Sequence, residues 1–307
     1  MAQETQNHLA KEPQNKQAKE TQNQQAKETQ KQQAKETQNQ QAKETQNQQA
    51  KETQNQQATK KRKRNTVYIY GNYKAYYNYR VDKNVGEDPR LAVLKKEWFE
   101  GRRCLDIGCN QGLMTISIAK KFSCESIVGV DIDGTLIETA KWNLRRVVKK
   151  EQSEVTKTSE KEHGSQDKVS ESSVRSLIDR VSFWKENIVQ NEHAFSDQYD
   201  TILCLSVTKW IHLNWGDDGL ITLFAKIWNL LRPGGTLILE PQPWSSYKRN
   251  RLVSEVASMN FKNILLEPSC FPEILLDKIG FRSWENISTN VKGSNAGFNR
   301  PIFAFYK

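Results

Sequence analysis

Apolar positions beyond residue 65 switch between two periods, and the switches predict an ordered series of strands and helices. Leu91 to Phe99 carries apolar residues at helical spacing and predicts an amphipathic helix. Cys104 to Ile107 is a short apolar run, predicted as a strand, broken by the turn Gly108-Cys-Asn-Gln-Gly112. Helical period returns over Leu113 to Phe122. Ser126 to Val130 reads as a second strand ending in Asp131-Ile-Asp133, and Glu138 to Val148 as a second helix. Such a βαβα unit implies a parallel sheet with helices on both faces. Further strands are predicted at Val181–Trp184, Tyr199–Leu205 and Thr236–Leu239, the last after a helix, Leu220–Leu231, stopped by Arg232-Pro-Gly-Gly235. Tyr247–Met259 and Phe271–Ile279 read as helices, and Phe281–Ile287 and Pro301–Tyr306 as strands. The expected architecture is α/β and Rossmann-like, with a seven-stranded, mostly parallel sheet whose final hairpin brings one antiparallel strand. Trp98, Trp142 and Trp228 fall at helical positions and are expected in the core.

Residues 1–64 follow neither period. From Gln3 to Ala58 the chain runs through seven imperfect copies of an octad that settles to KETQNQQA. At about 100° per residue an octad advances about 80° each repeat, so its alanines spiral and form no stripe. Such a segment cannot bury enough surface to offset an ordering entropy of about 1–2 kcal/mol per residue. A disordered tail is expected, ending in the basic run Lys60–Arg64, with the folded domain over 65–307. A Ser/Glu/Lys-rich stretch at 148–175 is expected to be a solvated insertion loop.

Of the formal net charge of +10, the run Lys60–Arg64 supplies +5. The run suits nuclear import or contact with a phosphate backbone, and the nucleus is the expected location, with the cytoplasm as the alternative. Five cysteines without a CxxC pair argue against a disulfide framework. Four scattered histidines offer no metal-ligand spacing, and no apolar run approaches the ~20 residues of a membrane span. The chain is expected to be intracellular, monomeric, off the membrane and without a metal.

The first turn carries the sharpest chemistry. Gly108 and Gly112 allow close backbone approach at the carboxyl end of a strand. Asp131 follows Gly108 by 23 residues, near the ~20 at which an acidic side chain holds ribose hydroxyls. A nicotinamide site wants GxGxxG beneath a pyrophosphate, whereas this turn reads Asp106-x-Gly108-x-x-x-Gly112. An Asp before the glycines suits a ligand with a cationic amino-acid end and no pyrophosphate, as in S-adenosylmethionine. A ligand-free strand–helix turn would need the same glycines, but it would not need Asp131. Asn187, after the third strand, stands where a polar side chain meets adenine.

Methyl transfer from a sulfonium is an in-line displacement that depends on alignment and electrostatics. An anionic acceptor needs no strong base, only cations and hydroxyls to hold it. Three segments offer them. Tyr68 to Arg80 packs six Tyr and one Arg into thirteen residues. Leu205-Ser-Val-Thr-Lys209-Trp-Ile-His212 follows the fourth strand, and Glu240-Pro-Gln-Pro-Trp244-Ser-Ser-Tyr247 follows the fifth. Taken singly, the tyrosines read as packing and His212 as a satisfied structural histidine. Their convergence on one sheet edge points to stacked bases and phosphates.

From Tyr68 onward the chain resembles the bicoid-interacting-protein-type methyltransferases, the RNA methylphosphate capping enzymes. The strings that carry the resemblance are YGNY with YYNYR, LDIGCNQG, VGVDID, LCLSVTKWIHLNWGDDGL, LRPGG, EPQPWSSY and GFNRPIF. The resemblance implies a class I fold, S-adenosylmethionine as cofactor, and methyl transfer to the 5′-terminal phosphate, tri- or mono-, of a small RNA. It implies cofactor contacts from Tyr77, Arg90, Gly108, Cys109, Asn110, Gly112, Asp131, Ile132, Asn187 and Leu205, with Ile188 departing from the aromatic residue often found there. It assigns Tyr76, Arg80, Ser206 and Lys209 to the phosphate. Two rivals remain open at this level: an N-methyltransferase of the same fold acting on a small molecule or protein, and an RNA-binding scaffold without catalysis.

Overall fold

The computed structural model describes residues 68–74, 76, 87–159, 176–191, 198–288 and 300–307. The octad tail, the basic run, Tyr77 and Arg80 lie outside the described residues. Val67–Lys307 forms one compact unit.

Seven strands build one sheet: β1 (Arg103–Ile107), β2 (Ser126–Asp131), β3 (Val181–Lys185), β4 (Tyr199–Leu205), β5 (Leu231–Glu240), β6 (Ser283–Asn286) and β7 (Phe303–Tyr306). Their order is β3-β2-β1-β4-β5-β7-β6. The pairs among β1 to β5 are parallel, whereas β7 runs antiparallel to both β5 and β6. From β1 the chain steps outward through β2 and β3, and then β4 and β5 step to its other side. The chain therefore reverses its winding between β1 and β4, where a crevice for ligand opens.

Side chains alternate across the pleat, so the two sheet faces carry separate cores. Cys104, Leu203 and Ile238 join one apolar cluster, with α1 (Leu113–Phe122) and α2 (Gly134–Ser159). Leu105, Ile202 and Leu237 join the other, with α3 (Thr208–Leu230). Both faces are covered, which explains why β1 and β4 read as continuous apolar runs. Two shorter helices, α4 (Trp244–Asn250) and α5 (Glu255–Asn263), follow β5. Among the described residues no helix is long and apolar enough to cross a membrane.

Several expectations need correction. Leu91–Phe99 is two 3-10 turns, Pro89–Ala92 and Lys96–Trp98, and not one helix. Its apolar residues reach the core at spacings that a helix would share. The predicted helix Leu220–Leu231 begins at Thr208 and kinks at Gly216, whose φ is +66°. Arg232–Gly235 bulges out of the strand ladder, which resumes with Thr201 opposite Thr236. Tyr247–Met259 is divided between α4 and α5, the second capped by the Ser254 hydroxyl, which accepts from the Ala257 N–H at 3.0 Å. The segment Phe271–Ile279 is one α turn running into a π-helical stretch. The expected insertion loop begins as helix, because α2 continues to Ser159. Trp142 is 52% exposed, not core. Its ring lies 4.9 Å beneath the Arg146 guanidinium on the outer face of α2.

Gly112 illustrates packing that fixes the site from behind. Its φ is +71°, and a Cβ there would lie 2.5 Å from the Phe183 ring and 2.9 Å from Ala140. Left-handed strain and overpacking then act together. Gly112→Val should lower Tm by roughly 10 °C in a domain of this size, measured by calorimetry. An unchanged Tm would contradict this packing account.

Candidate active site

The carboxyl ends of the central strands open into a cavity of about 650 Å³. On one side stands the turn after β1. Gly108 has a φ of +72°, and a Cβ there would come within 2.3 Å of the Val207 side chain. Asn110 is also left-handed, with φ of 52°. The Asn110 N–H donates to Asp131 Oδ2 at 3.0 Å, and the Asp133 N–H donates to Asp131 Oδ1 at 2.9 Å. Both oxygens of Asp131 are thereby aimed, and each keeps a lone pair for a hydroxyl. Burial raises the Asp131 pKa, against the pull of these backbone donors.

Asp106, at the foot of the same side, is 3% exposed and accepts from the Thr115 hydroxyl at 2.6 Å. Burial pushes its pKa up to about 6, while Thr115 and Arg90 act downward and Asp131 upward. A buried carboxyl whose pKa is raised by desolvation, at the wall of a cavity, fits a cationic ligand group that would stabilise its charge.

Arg90 is fully buried and grips Asp88 at 2.7 Å and Glu240 at 3.1 Å. Burial alone would lower its pKa, but these two carboxylates hold it well above the ordinary value. Glu240 Oε2 also accepts from the Ser206 hydroxyl at 2.8 Å. Ser206 is itself strained, with φ of +64° just past the end of β4. Its Oγ accepts from Arg300 at 2.8 Å.

Lys209 is the second residue of α3 and is 5% exposed. Its ammonium donates to Ser246 Oγ at 3.0 Å and Asn250 Oδ1 at 2.7 Å, both from α4, and stands 4.0 Å over the Trp210 ring. Gln242 fixes the backbone beneath: its Oε1 accepts from the Lys209 N–H at 3.1 Å, and its amide donates to the Ser206 carbonyl. Burial lowers the Lys209 pKa to about 7, and Arg300 and Arg249 push it the same way. Among the described residues no carboxylate acts on it in compensation.

The segment Tyr68–Tyr73 crosses the cavity. Tyr70 stacks on Trp215 at 5.9 Å, and Tyr73 meets Trp210 edge-on at 5.8 Å. Asn110 donates to the Tyr73 carbonyl at 3.2 Å, and Asn72 donates to Asp133 at 2.6 Å. Asn72 Oδ1 is buried with no hydrogen-bond partner among the described residues.

Of the residues singled out in the sequence, Tyr76, Arg90, Gly108, Cys109, Asn110, Asp131, Ile132, Asn187, Leu205, Ser206 and Lys209 all line this cavity. Gly112 does not; its glycine is demanded by Phe183 and Ala140. Asn187 spends its Oδ1 on the Val189 and Gln190 N–H groups and its amide on Gln190, and so caps its own turn at the cavity wall. His212 is structural: it is buried between the Tyr247 hydroxyl at 3.3 Å and Asp217 at 2.6 Å. Arg249, Arg300, Gln242, Asn250 and Asn72 were not assigned roles from sequence, yet they line the cavity too. Among the described residues no His, Cys, Asp or Glu cluster could hold a metal ion.

Comparison with known proteins agrees with this architecture. The family described as bicoid-interacting protein 3 (Bin3) matches residues 199–307, and a methyltransferase domain matches 105–237. A probable RNA methyltransferase of Arabidopsis thaliana is 54% identical over 266 residues, covering 80% of this chain and 83% of the relative. The U6 snRNA methylphosphate capping enzyme Amus of Drosophila melanogaster is 38% identical, covering 78% of this chain and 74% of the relative. The human 7SK snRNA methylphosphate capping enzyme is 38% identical over 80% of this chain, which spans only 40% of that longer protein. The chain belongs to the Bin3 family of methyltransferases.

Proposed function

We propose that the chain transfers a methyl group from S-adenosylmethionine to an oxygen of the 5′-terminal phosphate of an RNA. One observation carries the reading. A single cavity has a buried carboxyl with a raised pKa, Asp106, at one wall and, at the other, a buried lysine, Lys209, beside which no carboxylate stands among the described residues. The first suits the ammonium end of the cofactor, and the second suits an anionic acceptor. An amine acceptor would meet Lys209, Arg249 and Arg300, which oppose the positive charge it develops. The RNA substrates named for the relatives support the same assignment.

The residues present fit the cofactor. Asp106 would hold its ammonium group and Asp131 its ribose hydroxyls, and Gly108, Cys109, Asn110, Ile132, Asn187, Leu205 and Arg90 line the same cavity. When bound, it supplies an electrophilic methyl carbon on a sulfonium. The protein's task is then alignment. Lys209 and Tyr76 hold the phosphate, and Tyr70 on Trp215 with Tyr73 on Trp210 keep bulk water from the reacting line. A terminal phosphate is already an anion near pH 7, so no general base is required. A nucleus-resident RNA fits the basic run Lys60–Arg64.

Mass spectrometry of 5′ ends after incubation with enzyme and cofactor should find one added methyl on the terminal phosphate, removed together with that phosphate. A methyl on a base, ribose or protein side chain would defeat the reading.

Lys209 also links activity to stability. In the unfolded chain its pKa is ordinary, near 10.5, and in the native state about 7. Between those values the unfolded chain binds more protons, so this group's penalty is full below pH 7 and fades as pH rises. Lys209→Met should therefore raise Tm at pH 6, with the gain shrinking towards pH 9. It should also cut methyl transfer by roughly 10²–10³-fold with cofactor affinity intact. Retained activity, or a gain in Tm independent of pH, would contradict the role given to Lys209.

A further inference from the structure

At the end of the sheet away from the cavity, two buried cysteines face each other. Cys104 is the second residue of β1, and Cys124 lies in the link between α1 and β2. Both belong to the apolar cluster on the α1 and α2 side of the sheet. The backbone brings them together. The Gly101 N–H donates to the Ser123 carbonyl at 3.1 Å, and the Glu125 N–H donates to the Arg102 carbonyl at 3.0 Å, so the entries to β1 and β2 lie side by side. The Cys104 thiol donates to that same Arg102 carbonyl at 3.7 Å, which sets its sulfur against the peptide that follows Cys124. The two thiols also hydrogen-bond to each other.

The pair is chemically unequal. The hydrogen bond with Cys124 and burial hold the Cys104 pKa well above the ordinary value. The Cys124 pKa is lowered, first by the hydrogen bond from Cys104 and further by the Arg180 guanidinium, against the effect of burial. At Cys109 and Cys204, by contrast, burial pushes the pKa up. Arg180 donates to the Cys124 carbonyl at 3.4 Å and the Ala119 carbonyl at 3.1 Å, and so stands at the carboxyl end of α1. It also lines a surface cavity of about 290 Å³, together with Lys120, Glu151 and Ser176. A small oxidant entering there arrives beside Cys124, where a cation favours the reactive thiolate.

We propose that Cys104 and Cys124 form a reversible redox pair, in which a peroxide oxidises Cys124 and Cys104 closes a disulfide that staples β1 to the α1–β2 link. The Cys124 thiolate attacks the O–O bond of hydrogen peroxide, giving a sulfenic acid and a hydroxide that leaves as water. The Cys104 sulfur then displaces the sulfenic hydroxyl, which takes the Cys104 proton and leaves as a second water. Two thiols are oxidised and one peroxide is reduced, and a thiol reductant reverses the bond. The bond closes a loop of about 20 residues and restricts the unfolded chain. Since β1 and β2 lead to the Gly108 turn and Asp131, the staple braces the cofactor half from its far end. None of this depends on which group the enzyme methylates.

The test treats the reduced full chain with hydrogen peroxide and blocks free thiols before digestion. Peptide mapping should find Cys104 joined to Cys124, with fragmentation separating it from Cys109 on the same tryptic peptide. The linked protein should melt roughly 5–10 °C higher, and dithiothreitol should return Tm to the starting value. Without a resolving thiol, Cys104→Ala should accumulate a Cys124 sulfenic acid that dimedone labels several times more strongly than in wild type. Arg180→Gln should slow formation of the link roughly threefold or more. The wild-type map stands even where a variant folds poorly. A free Cys124 under peroxide that modifies the half-buried Cys270 overturns the proposal, as does a link to any other cysteine. An unchanged or lowered Tm in the linked protein overturns the stapling. Equal dimedone labelling in wild type and Cys104→Ala overturns the role of Cys104, and an unaltered rate in Arg180→Gln overturns that of Arg180.

Discussion

A lysine placed at the inner wall of a cavity without a counter-charge is the constraint around which the rest of the site is arranged. Burying an ammonium costs several kcal/mol unless it is paired. Among the described residues, Lys209 is offered neutral acceptors, Ser246 and Asn250, and a tryptophan face. Its pKa falls to about 7 as a consequence. The fold tolerates this because β4 and β5 hold the helix start rigidly, with Gln242 bonded to both the Ser206 carbonyl and the Lys209 N–H. Such an arrangement would suit an anion that arrives from solution.

The opposite wall has the complementary imbalance. Asp106 is buried with one hydroxyl donor and a raised pKa. Between the two walls runs a polar chain from Asp88 through Arg90, Glu240 and Ser206 to Arg300. It joins the base of the cofactor side to the acceptor side, and its members satisfy one another. Charge is balanced in this middle chain and left unbalanced at the two ends, where ligands of opposite sign would bring the missing partner.

The central sheet was legible because apolar runs and glycine turns respond to local geometry. The β1 turn, α1 and β2 follow directly from Cys104 to Asp131, whereas the reversal of winding appears only in the sheet order of the structure. Segments whose spacing serves two conformations were harder to read. Leu91, Leu94 and Trp98 repeat as a helix would, yet two 3-10 turns and the link between them deliver them to the core. Trp142 sits at a helical position, but period does not say which way a helix face turns, and it points to solvent beside Arg146. Ser254 was a readable N-cap that divides α4 from α5. At the site, Lys209 stood within a conspicuous string, whereas Arg300 pairs with a residue 94 positions away. No local pattern reveals a contact at that separation, and the same holds for Asn250 and Ser246 around the Lys209 ammonium.

The central claim is that the acceptor supplies the charge Lys209 lacks, and proton linkage measures this directly. Titration calorimetry of 5′-phosphorylated RNA at pH 7.5, in buffers of different ionisation enthalpy, reports protons taken up on binding. A site half or more deprotonated when free, and fully charged against phosphate, should take up between about half a proton and one proton. The uptake should vanish in Lys209→Met and with 5′-hydroxyl RNA. Binding of phosphorylated RNA with no proton uptake would mean that Lys209 does not face the phosphate, and the account would be wrong.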